Sequence, residues 1–196
     1  MEYSAGIVSS LFWFIETRET AKLLQNNSFD EIARRAVEDN IYHQTAEDRM
    51  KREFNCIKRR LQALPDCLIK EMTRADVDSA KLIAFIGVMA TDLLLFEFVY
   101  EVYRDKLRIG EDKLEDKDFN IFFKNKAAQS SKVAGWSESG IKKIKQSYGR
   151  YMFEAGLIEG TKNNKKIHKV FVDQDIRNML VNNGMEKYLY AVTGER

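Results

Sequence analysis

Residues 136–172 read WSESGIKKIKQSYGRYMFEAGLIEGTKNNKKIHKVFV, and the reading of this stretch decides the fold of the C-terminal half. Ser137 suits a helix N-cap, because its hydroxyl can accept a bond from a first-turn amide that has no helical partner. Trp136 before it and Ile141 after it have the spacing of a hydrophobic staple. Ile141, Ile144, Tyr148, Tyr151 and Ala155 recur at steps of 3 and 4 residues, which is one apolar helical face. Lys142, Lys143, Lys145, Gln146, Gly149 and Arg150 lie off that stripe. Gly156 stands where a left-handed residue would end the helix, and Leu157 where a Schellman contact would close it. Two β-prone runs, Leu157-Ile158 and residues 167–172, flank Thr161-Lys162-Asn163-Asn164-Lys165-Lys166, so a β-hairpin with a basic tip is predicted around an Asn-Asn turn. Helix, glycine stop and basic hairpin in that order form the pattern of a winged helix-turn-helix, which sets one helix against a DNA groove and a hairpin against the phosphate backbone.

Charge supports that expectation. Between Lys132 and Val172, nine Lys/Arg stand against three acids, a local excess of six on a chain whose net charge is +2. A concentrated basic surface is what phosphate contact requires, although lysines on a helix also serve as a plain solvated face. The candidate DNA contacts are Ser139, Lys142, Lys143, Lys145 and Gln146 on the helix, and Arg150, Lys162, Asn163, Lys165 and Lys166 towards its end and on the hairpin.

The remaining composition bounds the rest. At 196 residues the chain suits one large domain or two small ones, and 44% hydrophobic content is ordinary for a protein with a packed core. One proline, ten glycines and many strong helix formers predict a mainly α protein. Cys56 and Cys67 lie close in sequence and are expected to be reduced thiols in a cytoplasmic protein, since nothing at the N-terminus reads as a signal peptide. His43 and His168 have no ligand spacing, so no metal is expected. No phosphate-binding loop, dinucleotide fingerprint or nucleophile elbow occurs, and the expectation is a non-enzymatic protein without a cofactor. Residues 82–100, LIAFIGVMATDLLLFEFVY, approach the length of a membrane span, but Asp92 in the middle and Glu97 beyond it argue for two consecutive core helices and against insertion.

Working back along the chain, Ile7, Leu11, Phe14 and Ile15 read as one apolar helical face. Ser28 and Glu31 form a capping box ahead of a helix ending near Asn40. Met50, Phe54, Ile57, Leu61 and Leu64 mark a long helix stopped by Pro65. Its Arg52, Arg59 and Arg60 are a second candidate basic surface, or simply the solvated side of the helix. The acidic stretch 111–118 beside Gly110 reads as a linker, which places domains at 1–110, a helical bundle, and 111–196, the winged helix. Residues 130–135 are expected to fill a turn, and 173–192 to form one or two short helices.

An ordered set of features spans nearly the whole chain: YSAGIVSSLFWFIETRETAKLL near the start, Asp39-Asn40, Thr45-Ala46 before the basic helix with Arg59-Arg60-Leu61 and Leu64, the helical pair from Leu82 to Lys106, Asp118-Phe119-x-x-Phe122-Phe123, and Glu154-Ala155-Gly156-Leu157-Ile158. In order and spacing the chain resembles the BrxA family, small proteins encoded in the BREX (bacteriophage exclusion) defence systems of bacteria and archaea. The resemblance implies an all-helical N-terminal domain similar to the NusB fold, followed by a C-terminal winged helix. It also implies DNA binding and no known catalysis; the partner expected here is double-stranded DNA. It transfers no individual contact residue. The resulting expectation is a non-catalytic, cytoplasmic DNA-binding component of phage defence with weak sequence preference. Its rivals are an adaptor that docks other BREX proteins, and RNA binding through the NusB-like domain.

Overall fold

The capping box at Ser28 forms as the sequence predicts. Its hydroxyl accepts from the Glu31 amide, while the Glu31 carboxylate accepts from the Ser28 amide. Such local signals start most of the helices in the computed structural model, which describes residues 2–161 and 164–195. Contacts divide the chain into two compact units, Phe12–Thr91 and Met1–Leu11 together with Asp92–Arg196. The boundary expected beside Gly110 falls inside the second unit. There Gly110, at φ 76°, ends a helix in the left-handed conformation.

The first unit is helical throughout its regular elements: α1 (Phe14–Leu23), α2 (Phe29–Glu38), α3 (Glu47–Gln62), α4 (Asp66–Arg74) and α5 (Val77–Met89). After a polar first turn, helix α5 is apolar all round and buried from Leu82 to Met89, and it packs on α1, α3 and α4. Gly87 allows the close approach to α3, since a Cβ there would lie 3.0 Å from the Arg60 carbonyl oxygen. Arg60 itself is a correction to the sequence reading. It is 3% exposed and donates to the Phe12 carbonyl at 2.8 Å, so it fixes the entry to α1 and offers nothing to an outer surface. Arg52 and Arg59 of the same candidate surface are exposed.

The second unit opens with a 3-10 turn, Gly6–Ser9, and resumes with α6 (Leu93–Ile109), whose middle turn Val99–Tyr103 is π-helical. Asp92 caps α6 by accepting from the Leu95 amide at 2.9 Å, which is why the apolar run 82–100 breaks into two helices. No single helix among the described residues is long and apolar enough to cross a membrane. Then follow β1 (Lys113–Leu114), α7 (Asp116–Gln129), α8 (Ser131–Ala134), α9 (Glu138–Glu154), β2 (Ile158–Thr161), β3 (Asn164–Ile167), α10 (Gln174–Asn182) and α11 (Glu186–Thr193). The strands form one antiparallel sheet in the order β1-β3-β2. The fold class is therefore mainly α with a small sheet near the C-terminus, as expected.

Three local expectations fail. The acidic stretch 111–118 is not a bare linker, because Lys113 and Leu114 pair with Lys166 and Lys165 and α7 starts at Asp116. Residues 131–134 make a short helix where a turn was expected. The apolar face across Ile7, Leu11, Phe14 and Ile15 does not exist, since Trp13 adopts a left-handed φ of 51° ahead of α1 and leaves Ile15 70% exposed.

The core of the second unit is aromatic. Phe98 stacks on Phe119 at 4.4 Å and meets Phe122 and Tyr148 edge-on or tilted at 5.2 and 5.7 Å. Such offset and edge geometries add to what area burial alone contributes. Into this core runs Lys126, whose ammonium lies 2.7 Å from both the Glu97 and Glu101 carboxylates. The pair of α6 carboxylates neutralises a cation that burial would otherwise disfavour.

Candidate functional site

Helix α9 is held by its own sequence at both ends. The Ser137 hydroxyl accepts from the Gly140 amide at 3.1 Å. At the far end Gly156 is left-handed at φ 78°, and the Leu157 amide reaches back to the Met152 carbonyl at 2.9 Å, the 6→1 bond of a Schellman motif. Ile144, Tyr148, Tyr151, Met152 and Ala155 are buried. That anchors one face of the helix, so the opposite face must look outward.

At 100° per residue, Ser139, Lys142, Lys143, Gln146 and Arg150 fall within an arc of about 100° on α9. All five are exposed. Sequence reasoning grouped them, and the fold keeps them together. Lys145 departs from the group. It is half-buried, its amine donates to Asn120 Oδ1 at 2.6 Å, and it lies 5.5 Å above the Phe123 ring. Burial there pulls its pKa below the usual lysine value.

The hairpin splits its two described lysines. Register sets Lys165 opposite Gly160 and Leu114, and Lys166 opposite Glu159 and Lys113. Side chains alternate across a strand, so Lys165 and Lys166 leave the sheet on opposite faces. Lys165 turns to the core side, 3.0 Å from Asp116 and above the Phe119 ring. Lys166 is exposed beside Lys113. Lys162 and Asn163 lie outside the described residues.

Between α9, the start of α7 and the hairpin runs a cleft of about 810 Å³. It brings Lys142, Lys145, Gln146, Arg150 and Lys165 to one lining, with Phe119, Phe153 and Ile158 as its apolar part. Among the described residues no group of three or more His, Cys, Asp or Glu is placed to hold a metal ion.

The family model of BrxA matches residues 1–184. The chain belongs to the BrxA family. It is 37% identical over 195 residues to the BREX protein BrxA of Bacillus cereus (strain H3081.97), covering 98% of this chain and 97% of that one. It is 21% identical over 182 residues to the BREX protein BrxA of Escherichia coli O9:H4 (strain HS), covering 92% and 85%. A crystal structure of an uncharacterized protein from Magnetospirillum magneticum matches all of both chains with a TM-score of 0.84 at 20% identity, a likeness of fold alone.

Three lining or neighbouring residues of this BrxA family member escaped the sequence reading. Lys113 was hidden in an acidic context, although its pairing beside Lys166 extends the basic side of the sheet. Phe119 reads as core and does serve the core, yet its ring also supports Lys165. Phe153 interrupts the polar face of α9 and is 54% exposed, a departure from amphipathic pattern that was visible at residue level.

Proposed function

We propose that this protein is a non-catalytic, cytoplasmic component of a BREX phage-defence system that grips duplex DNA with low sequence preference. In this reading α7, α8 and α9 with the β1-β3-β2 sheet act as a winged helix, α9 presenting its outward arc to the major groove. The helical unit is the NusB-like partner domain of that arrangement. The observation that carries the reading is the arc itself: Lys142, Lys143 and Arg150 share one exposed side of a helix whose other side is anchored in the core. Three exposed cations on one ridge fit a polyanion, and the few polar base-reading side chains, Ser139 and Gln146, fit weak discrimination. The exposed Lys166 and Lys113 would take phosphates from the wing.

Titration of the full chain with blunt duplex DNA at two salt concentrations tests this. Binding at low salt that fades as salt rises is expected, because released counterions set the slope. Absence of binding at both would end the reading. It would favour a second one, docking of other BREX proteins, for which the 85% exposed Phe171 beyond the hairpin is the best single feature.

A further inference from the structure

We infer that the cleft between α9 and the hairpin is a binding site for a nucleoside phosphate, with the base against its aromatic lining and the phosphate on its amines. This goes beyond the duplex grip: the cleft shares Lys142, Gln146 and Arg150 with the outward arc of α9 and adds Lys145, Lys165 and Phe153, which the grip does not use. The cleft's volume of about 810 Å³ is that of a small-molecule site, larger than a bare phosphate needs. Its lining combines two kinds of chemistry seldom needed together on a plain phosphate-gripping ridge. Phe153, 54% exposed, offers an aromatic face, with the buried Phe119 and Ile158 behind the cleft floor, and Lys142, Lys145, Arg150 and Lys165 outnumber the acids Asp116, Glu138 and Glu159 by one charge. A planar organic anion satisfies both. An inorganic anion would leave the rings unused, and a neutral apolar ligand would leave the amines desolvated.

Two side chains mark where the anion would sit. Lys145 is half-buried, and among the described residues its amine is met by the neutral Asn120 amide oxygen and the Phe123 ring. The other well-buried lysines of this unit each have carboxylates: Lys106 has Glu111 and Asp118, and Lys126 has Glu97 and Glu101. No carboxylate is in hydrogen-bond contact with Lys145; the negative charge that reaches it is that of the exposed Asp116, whose ion pair is with Lys165. Lys165 faces the same space, held by an Asp116 side chain that is 86% exposed and so weakly bound. An entering phosphate replaces the exposed Asp116 on Lys165 and brings negative charge within reach of both Lys165 and Lys145. Glu138 and Glu159 also line the cleft, as acceptors for the exocyclic amino groups of a base.

The walls are kept bare at Gly149. A Cβ there would meet only the Lys165 Cε, at 3.7 Å, an ordinary contact with the far end of a flexible side chain, so a side chain at 149 starts into the cleft unopposed by backbone. Gly149 lies inside α9, where replacement of glycine improves helix propensity. Gly149→Leu is therefore a plug that removes no charge, and Lys145→Gln is a second variant that removes the charge and leaves the space.

The ligand chemistry has two sources, a free nucleotide or an unpaired nucleotide at the end of a nucleic acid. The test is calorimetric titration of the full chain with adenosine monophosphate and, separately, inorganic phosphate, beside anisotropy titrations with blunt and 5′-overhang duplexes. Adenosine monophosphate should bind at least about tenfold more tightly than phosphate. Gly149→Leu and Lys145→Gln should each weaken it by about tenfold or more, with Tm retained in at least one of them. An overhang bound more tightly than a blunt end, the gain lost in Gly149→Leu, assigns the site to unpaired nucleic acid; equal affinity for both ends assigns it to the free nucleotide. Adenosine monophosphate that binds no better than phosphate, or that ignores both substitutions, overturns the inference. Blunt duplex bound without the nucleotide would leave the duplex reading standing and remove this one, and the converse result would do the opposite.

Discussion

The Tyr151 phenol, on the buried face of α9, donates to the Leu11 carbonyl at 2.8 Å, across 140 positions of sequence. The same oxygen lies 2.9 Å from the Ser10 hydroxyl. The back of the helix that offers its lysines outward is thus fastened by residues from the other end of the chain. Tyr151→Phe keeps the ring and leaves the Leu11 carbonyl without this donor. It should destabilise the protein by about 1–2 kcal/mol, read from the midpoint of urea unfolding. An unchanged midpoint would show that the fastening contributes nothing.

Charge on α9 should separate by position. Replacing Lys142, Lys143 and Arg150 together by glutamine should weaken duplex binding and reduce the slope of log K against log salt, by about 0.9 for every phosphate that the variant no longer neutralises. Lys145→Gln, whose amine is turned aside onto Asn120, should change that slope by less than the value of a single phosphate. Slopes from a four-point salt series decide between the two.

Glu53 sets a pH dependence in the helical unit. It is 1% exposed, one carboxyl oxygen accepts from Gln44 at 2.7 Å, and the other has no partner among the described residues. Burial, with the nearby Glu16 charge, pushes its pKa up to about 7. Folded protein therefore holds a proton that the unfolded chain releases near pH 4.5. The stabilisation is complete below that pH, declines as pH rises, and is gone above about 7. Glu53→Gln mimics the protonated group and should exceed the wild type in stability at pH 8 by about 3 kcal/mol, converging with it near pH 4. Urea titrations at the two pH values measure both ends.

Gly160 guards the hairpin. Its φ is 96°, and a Cβ there would run into the Asn164 carbonyl oxygen. Gly160→Ala should cost about 1–3 kcal/mol and disturb the register that sets Lys165 opposite residue 160. Hydrogen exchange at β2 and β3 amides, faster in the variant with α9 amides unchanged, is the expected result.

The parts of this structure legible in the sequence are those fixed by local chemistry. Ser28, Ser137 and Gly156 announce their caps because a capping side chain or a left-handed glycine acts within a few residues. The break at Asp92 was readable for the same reason. What escaped depends on partners far along the chain. Strand β1 exists only because Lys166 and Lys165 come to pair with it, and two residues in an acidic stretch carry no strand signal of their own. Arg60 looks like part of a basic face until the carbonyl of Phe12 draws it inside. Lys145 and Lys165 share a type and a neighbourhood with the outward lysines. Helical phase and strand alternation turn them into the cleft, and that phase can be read from the sequence only after the buried side is known.

The unit containing α9 is discontinuous, closing with Met1–Leu11 on residues that begin at Asp92. Residues 2–11 therefore find their place only once the residues from Asp92 onward are present to receive them. The helical unit, made from an unbroken run of chain, can condense while translation continues. A chain cut short within the second unit should therefore keep a folded helical unit beside an unfinished second one.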